Sequence, residues 1–310
     1  MVLTHALCEV LPLKREERLN VLINKLNMKK ILVTWANGML ASDFEKLFSN
    51  KYELILANHK VLDITDITIL EEYLEKIKPE VILNFAAYTA VDDAEDIWAK
   101  KNYDVNALWV YNLAKISNKF NIDFLTISSD YVFHGDSEKW YNEYDEKNPV
   151  NQYWMAKYLW EKLSLEENNN TIIVRTSWLY GGWKEYKNFV NTMINLWNKL
   201  DNLKVVNDQF GSPTNAKDLS EAIWKVIENI EKYRWKILHF SNNTEKNGIT
   251  WYDFAKEIFS QTFIQIHLNP CTTADFPTKA KRPGFSKLIN NSDIVLRDWK
   301  DGLRDYLRNL

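Results

Sequence analysis

The chain has 310 residues, with 39 basic and 42 acidic side chains for a net charge of −3, and is 46% hydrophobic and 26% charged. That is the balance of a globular protein able to bury one large core or two modest ones, without the basic footprint that binds nucleic acid or an anionic membrane. Two distant cysteines and five scattered histidines argue against a disulfide framework and a zinc site, and no apolar run approaches the roughly 20 residues of a membrane span.

Residues 1–27 begin with a short apolar stretch interrupted by Glu9, without the basic start or small-residue cleavage site of a signal peptide. They read as an extension outside the fold, with a surface amphipathic helix as the alternative. Met28-Lys29-Lys30 then leads into a buried strand over 31–34. A helix is expected over 40–48, a strand over 53–57, a helix over 67–77 ended by Pro79, and a strand over 81–85. One long helix is expected over 94–119, followed by a strand over 124–128, a helix over 153–165 and a strand over 171–176. The alternation implies an α/β fold, a doubly wound parallel sheet with helices on both faces. Runs such as Val81-Ile82-Leu83-Asn84-Phe85 are continuous rather than alternating, as in strands buried on both sides. Beyond Trp178 the pattern loosens, with helices expected over 188–199, 218–230, 251–260 and 292–307. The division is therefore a dinucleotide-binding part over 28–176 and a smaller lobe, mainly substrate-binding, over 177–310.

Two local patterns carry chemistry. After the first strand stands Thr34-Trp35-Ala36-Asn37-Gly38-Met39-Leu40-Ala41, where a dinucleotide site needs a tight turn whose helix amides meet the pyrophosphate. Of the three spaced positions 35, 38 and 41 only Gly38 is glycine, and an indole at 35 would stand where phosphates belong. Further on, Ser129 follows the fourth strand, and Tyr153 and Lys157 lie four apart on one helix face. A lysine ammonium beside a phenol is expected to lower its pKa and make Tyr153 a usable acid near neutrality. A chance i,i+4 surface pair is the plain alternative.

Several segments together resemble the extended short-chain dehydrogenase/reductases, and among them the dTDP-4-dehydrorhamnose reductase family. They are Leu62-Asp63-Ile64-Thr65-Asp66, Asn84-Phe85-Ala86-Ala87-Tyr88-Thr89-Ala90-Val91-Asp92, Val105-Asn106-Ala107 and Ser129-Asp130-Tyr131-Val132-Phe133. Arg175-Thr176-Ser177-Trp178-Leu179-Tyr180-Gly181, Asp208-Gln209-Phe210-Gly211-Ser212-Pro213-Thr214 and Lys281-Arg282-Pro283 complete the set. The resemblance runs from about residue 28 to the end. It implies a Rossmann-type sheet and reduction of the C4 ketone of a dTDP-linked 6-deoxy sugar, dTDP-4-dehydro-L-rhamnose, in the cytoplasm. It implies Tyr153 as proton donor, Lys157 holding the nicotinamide ribose and Ser129 orienting the carbonyl; the family usually has threonine at 129, and serine keeps the hydroxyl. Gly38, Met39, Leu40, Asp63, Ile64, Ala86, Ala87 and Tyr88 are the implied cofactor contacts, with Trp178, Asn188 and Arg282 on the substrate side. For those three a core aromatic, a helix cap and a solvated charge are the alternatives. The stretch Asn58-His59-Lys60 lacks the acid expected for a free ribose 2′-hydroxyl, which favours NADPH over NADH. Mg2+ dependence and a homodimer stay open. A non-catalytic binding subunit on the same fold, or an epimerase or dehydratase of another nucleotide sugar, are the competing functions; the absence of a Glu after Ser129-Asp130 speaks against the dehydratase.

The chain departs from the resemblance in one direction. It holds 8 Gly and 13 Trp, whereas average usage predicts about 22 Gly. Trp35, Trp109, Trp154 and Trp160 stand where the family has glycine, while Trp178, Trp251 and Trp299 stand where tryptophan is familiar. The codon UGA means tryptophan in one variant genetic code and glycine in another, so glycine is expected at those four positions and at some of Trp98, Trp140, Trp183, Trp197, Trp224 and Trp235. If the tryptophans are real, a pseudoenzyme with a blocked nucleotide loop is expected.

Overall fold

The computed structural model describes residues 28–58, 60–87, 91–95, 99–136, 138, 140–244 and 248–310. The extension expected over 1–27, Tyr88, His59 and Trp98 lie outside the described residues.

Six strands form one parallel sheet: β1 (Lys30–Thr34), β2 (Glu53–Ala57), β3 (Val81–Asn84), β4 (Asp123–Ser129), β5 (Thr171–Thr176) and β6 (Lys236–His239). Their order across the sheet is β2-β1-β3-β4-β5-β6. The chain therefore reverses its direction of winding between β1 and β3, and ligands of open parallel sheets bind outside the strand carboxyl ends at such a switch. β3 and β5 are buried at every position, with continuous apolar residues at their centres and, in β5, a buried arginine.

Helices cover both faces. On one side lie α1 (Met39–Phe48), which buries Leu40, Ala41, Phe44 and Phe48, and α7 (Ala216–Glu228). On the other lie α2 (Ile67–Ile77), α4 (Trp109–Lys119) and α5 (Gln152–Glu167). Burying each large aliphatic or phenyl group in these layers contributes about 1.5–3 kcal/mol. Helix starts follow capping chemistry: Asp66 accepts from the Thr68 and Ile69 amides, Asn151 from Trp154 and Asn215 from Lys217 and Asp218. A third apolar cluster joins α6 (Phe189–Trp197), α8 (Trp251–Thr262) and α9 (Trp299–Leu307) in the part beyond β5. No described helix is long and apolar enough to cross a membrane.

Two expected helices differ from those observed. The span 94–119 is not one α-helix: a 3-10 turn (Asp93–Glu95) precedes α3 (Ala99–Tyr103), then comes a five-residue π-helical segment (Asp104–Leu108), then α4. Buried asparagines mark the irregular stretch: Asn106 Nδ2 donates to Asn102 Oδ1 at 2.7 Å and Asn102 Nδ2 to the Gln152 carbonyl at 3.0 Å, tying it to α5. The last helix begins at Trp299 rather than 292. Asn290 turns the chain by accepting from the Ser292 amide, and Asp298 caps the helix through the Lys300 amide.

Candidate active site

Buried polar side chains join the carboxyl ends of β1 and β3 to the middle of β4. Thr34 Oγ1 donates to Asn84 Oδ1 at 2.7 Å, Asn84 Nδ2 donates to Thr126 Oγ1 at 3.0 Å, and the Ala86 amide reaches Asn84 Oδ1 at 3.3 Å. This ladder fixes the backbone where the chain leaves the sheet. Sequence reasoning placed Asn84 in a motif without assigning it this work; a polar residue ending an otherwise apolar strand was the available signal.

Ser129 ends β4, and Tyr153 and Lys157 occupy the first turns of α5, both buried. Ser129 Oγ donates to Asp130 Oδ1 at 2.8 Å and accepts from the Tyr131 amide at 3.3 Å. Asp130 is buried, which pushes its carboxyl up to about 7 against hydrogen bonds from Ser286 and Ser129 that oppose the rise. The Tyr153 phenol is raised by burial first and by the Asp130 charge second. Lys157 is pulled down to about 8 by burial, with Glu161 opposing. The expected lowering of the tyrosine by its lysine is thus not the pattern found. Both groups are held toward their neutral forms, because desolvation outweighs the i,i+4 attraction. A phenol held in its protonated form can donate a proton to a carbonyl oxygen.

The expected cofactor contacts fall around the β1–α1 turn and the β1/β3 switch. Gly38 is the N-cap of α1 and its amide donates to the Trp35 carbonyl at 2.8 Å. Leu40 turns its side chain into the core, so only its backbone can meet an anion. Asp63, Ile64 and Ala86 share a small cavity of about 50 Å³ with Thr34, Trp35, Ala57, Asn58, Leu62 and Trp109. Asn58 there accepts from the Lys60 and Val61 amides, forming the turn that follows β2. Ala87 follows at the rim, half-buried. The loop itself does not fit a dinucleotide. Trp35 has a left-handed backbone at φ 56°, and its indole Cδ1 lies 2.7 Å from where a Cβ on Gly38 would be. The indole thus covers the one glycine that leaves the helix amides bare.

On the opposite wall, the segment carrying Arg282 docks over the start of α5. Arg282 pairs with Asp92 at 2.9 Å and donates to the Ala280 carbonyl at 2.6 Å; Asn151 Nδ2 donates to the Lys281 carbonyl at 3.1 Å. The Arg282 guanidinium stands 5.8 Å from the ring of Trp154, which in turn meets Tyr153 and Tyr131 edge to face. Trp178 stacks on Trp251 at 3.6 Å between ring centroids. Met39 and Asn188 meet at 3.9 Å, sulfur to amide nitrogen, and the Asn188 amide also donates to the Gly181 carbonyl and the Tyr306 hydroxyl. Its Oδ1 caps α6 through the Asn191 amide, so the structure gives Asn188 the cap that was the alternative reading. Among the described residues no cluster of His, Cys, Asp and Glu is arranged to hold a metal ion.

Comparison with known proteins accords with this geometry. The chain is 37% identical to a dTDP-4-dehydrorhamnose reductase of Aggregatibacter actinomycetemcomitans, covering 90% of this chain and 98% of the relative. A crystal structure of a dTDP-4-dehydrorhamnose reductase from Clostridium acetobutylicum superposes with a TM-score of 0.84 at 38% identity, covering 90% of this chain and 99% of that one. One from Bacillus anthracis, solved in complex with NADP, does so with 0.84 at 34% identity, covering 91% and 100%. Residues 28–310 match the RmlD substrate binding domain family, and the chain belongs to that family.

Proposed function

We propose that the chain reduces the C4 ketone of dTDP-4-dehydro-L-rhamnose to give dTDP-L-rhamnose, with NADPH as the reductant, in nucleotide-sugar synthesis for cell-surface polysaccharide. The observation that carries this reading is the placement of Tyr153 and Lys157, both buried, on the first turns of α5, with the half-buried Ser129 at the carboxyl end of β4 in the same parallel sheet. In the chain with glycine at 35, NADPH over the α1 amides would supply the hydride. Tyr153, kept protonated by burial, supplies the proton to the C4 oxygen, while the Ser129 hydroxyl turns from Asp130 to donate to that same oxygen. Lys157 holds the ribose end and keeps the tyrosine oriented. The division of labour follows: the strand edges of 28–176 take the cofactor, and Arg282 with Trp178 takes the nucleotide sugar. NADPH is preferred to NADH because the relative from Bacillus anthracis was solved with NADP and the turn after β2 carries Lys60 and no acid at 58–60. A cytoplasmic location and a homodimer belong to the same proposal.

A second reading attaches to the chain with tryptophan at 35. With the loop covered, such a chain is a non-catalytic binding subunit on the same fold. The test follows NADPH oxidation in the presence of dTDP-4-dehydro-L-rhamnose, using the chain with glycine at 35, 109, 154 and 160. Turnover lost in Tyr153→Phe supports the reductase. Cofactor binding without turnover replaces it with the binding subunit.

A further inference from the structure

The residues that spoil the cofactor cleft are of one kind, and the strain they carry is of the kind that glycine removes. Six described non-glycine residues have a left-handed backbone, and three of these are tryptophans, at 35, 178 and 235. A Cβ carrying a bulky ring makes that region unfavourable, while glycine enters it freely. Trp35 covers the Gly38 turn. Trp235 lies between the short helix Ile230–Tyr233 and β6 at φ 58°, with its ring largely in solvent and held only by an indole hydrogen bond to the Leu165 carbonyl at 3.1 Å. Trp154 and Trp160 are fully buried on α5, and the indole N–H of each has no acceptor among the described residues. A buried donor without a partner is a cost that native interiors avoid. Trp154 also fills the space between Tyr153, Tyr131 and Arg282. Trp109 closes the other end, on the small cavity beside Asp63 and Ile64. Trp178 shares the left-handed backbone and an indole N–H without an acceptor among the described residues, but it also stacks closely on Trp251 and meets Gly211, whose missing side chain makes the room.

We infer that the working enzyme carries glycine at positions 35, 109, 154, 160 and 235, each encoded by UGA and decoded as glycine in its own cell. One reassigned codon explains what independent substitutions do not, namely that so many misfits share one residue type: two in a left-handed backbone, two with a buried indole N–H lacking an acceptor among the described residues, and one lining the small cavity at the β1/β3 switch. Exchanging these five inverts the ratio of 8 Gly to 13 Trp. It also frees the α1 amides for a pyrophosphate and opens the floor beside Tyr153, a consequence that rests on the reductase reading.

The decisive measurement is peptide mass spectrometry on the chain purified from the cells whose genome encodes it. Peptides spanning 35 and 154 with the mass of glycine, from genes with UGA at both codons, are the expected result. A tryptophan mass, or UGG at either position, overturns the inference. A second measurement compares NADP+ binding to two recombinant chains, one with the five tryptophans and one with the five glycines. The glycine form is expected to bind roughly 100-fold more tightly, through charge-assisted contacts to bare amides. Equal affinity overturns the claim that the indole at 35 blocks the loop. The masses do not depend on catalysis, so glycine peptides from a chain that reduces no ketone would overturn the proposed reaction and leave the codon assignment standing.

Discussion

Lys157 is buried with its pKa drawn down to about 8 from an ordinary 10.5, so the folded chain bears a penalty for holding it charged. That penalty is full below pH 8 and fades as pH rises toward 10.5, because there the unfolded state still binds the proton and the folded state does not. Lys157→Met is expected to raise stability at pH 7 by about 1–3 kcal/mol in urea denaturation while reducing turnover by about 100-fold or more. A loss of stability would show that the ammonium has a compensating partner. Asp130 works with the opposite sign. Its carboxyl is raised from 3.8 to about 7, so its penalty is absent in acid and complete above pH 7. Its charge also helps hold the Tyr153 phenol high. Asp130→Asn should therefore move the alkaline limb of the kcat/KM profile downward, by up to about one pH unit. Tyr153→Phe should cost about 10²–10⁴ in kcat and leave the urea midpoint nearly unchanged, since the ring and its packing remain.

At the level of elements, α5 is joined to the sheet by charge as well as by apolar packing. Arg175 of β5 meets Glu161 of α5 through two buried hydrogen bonds, at 3.0 and 2.6 Å. His239 of β6 lies 3.2 Å from the same guanidinium and donates through Nδ1 to the Ile289 carbonyl; burial first and Arg175 second hold it neutral. Glu161→Ala should therefore cost about 3–5 kcal/mol in urea denaturation, the penalty of leaving a buried guanidinium without its carboxylate. Little of this cross-linking could be read from the chain, because the partners are separated by up to 64 positions and no local pattern announces them. Periodic segments were legible: α2 and β5 have the bounds that their apolar spacing and flanking turn residues suggest. The span 94–119 was not, since buried asparagines at 102 and 106 break a regular helix through contacts with α5. Within the site, the spacing of Tyr153 and Lys157 was visible and their protonation was not, because desolvation depends on what the distant segment around Arg282 covers.

Over the whole molecule, the Arg282–Asp92 pair and the Asn151–Lys281 contact bring the last third of the chain onto the catalytic helix. Asp92→Asn should loosen that wall and raise KM for the nucleotide sugar about tenfold, with a smaller change in kcat; equal losses in both would show a defect in the chemical step instead. The sheet has a temporal side as well. Its sixth strand, Lys236–His239, pairs with β5 only after some sixty intervening residues have been made. At typical synthesis rates of about 5–20 residues per second, the nascent chain presents an open β5 edge for roughly 3–13 s. During that interval the main-chain groups of β5 are free to pair with a neighbouring nascent copy on the same messenger. Codons that slow the ribosome between β5 and β6 should therefore lower soluble yield more than equally slow codons placed after residue 239.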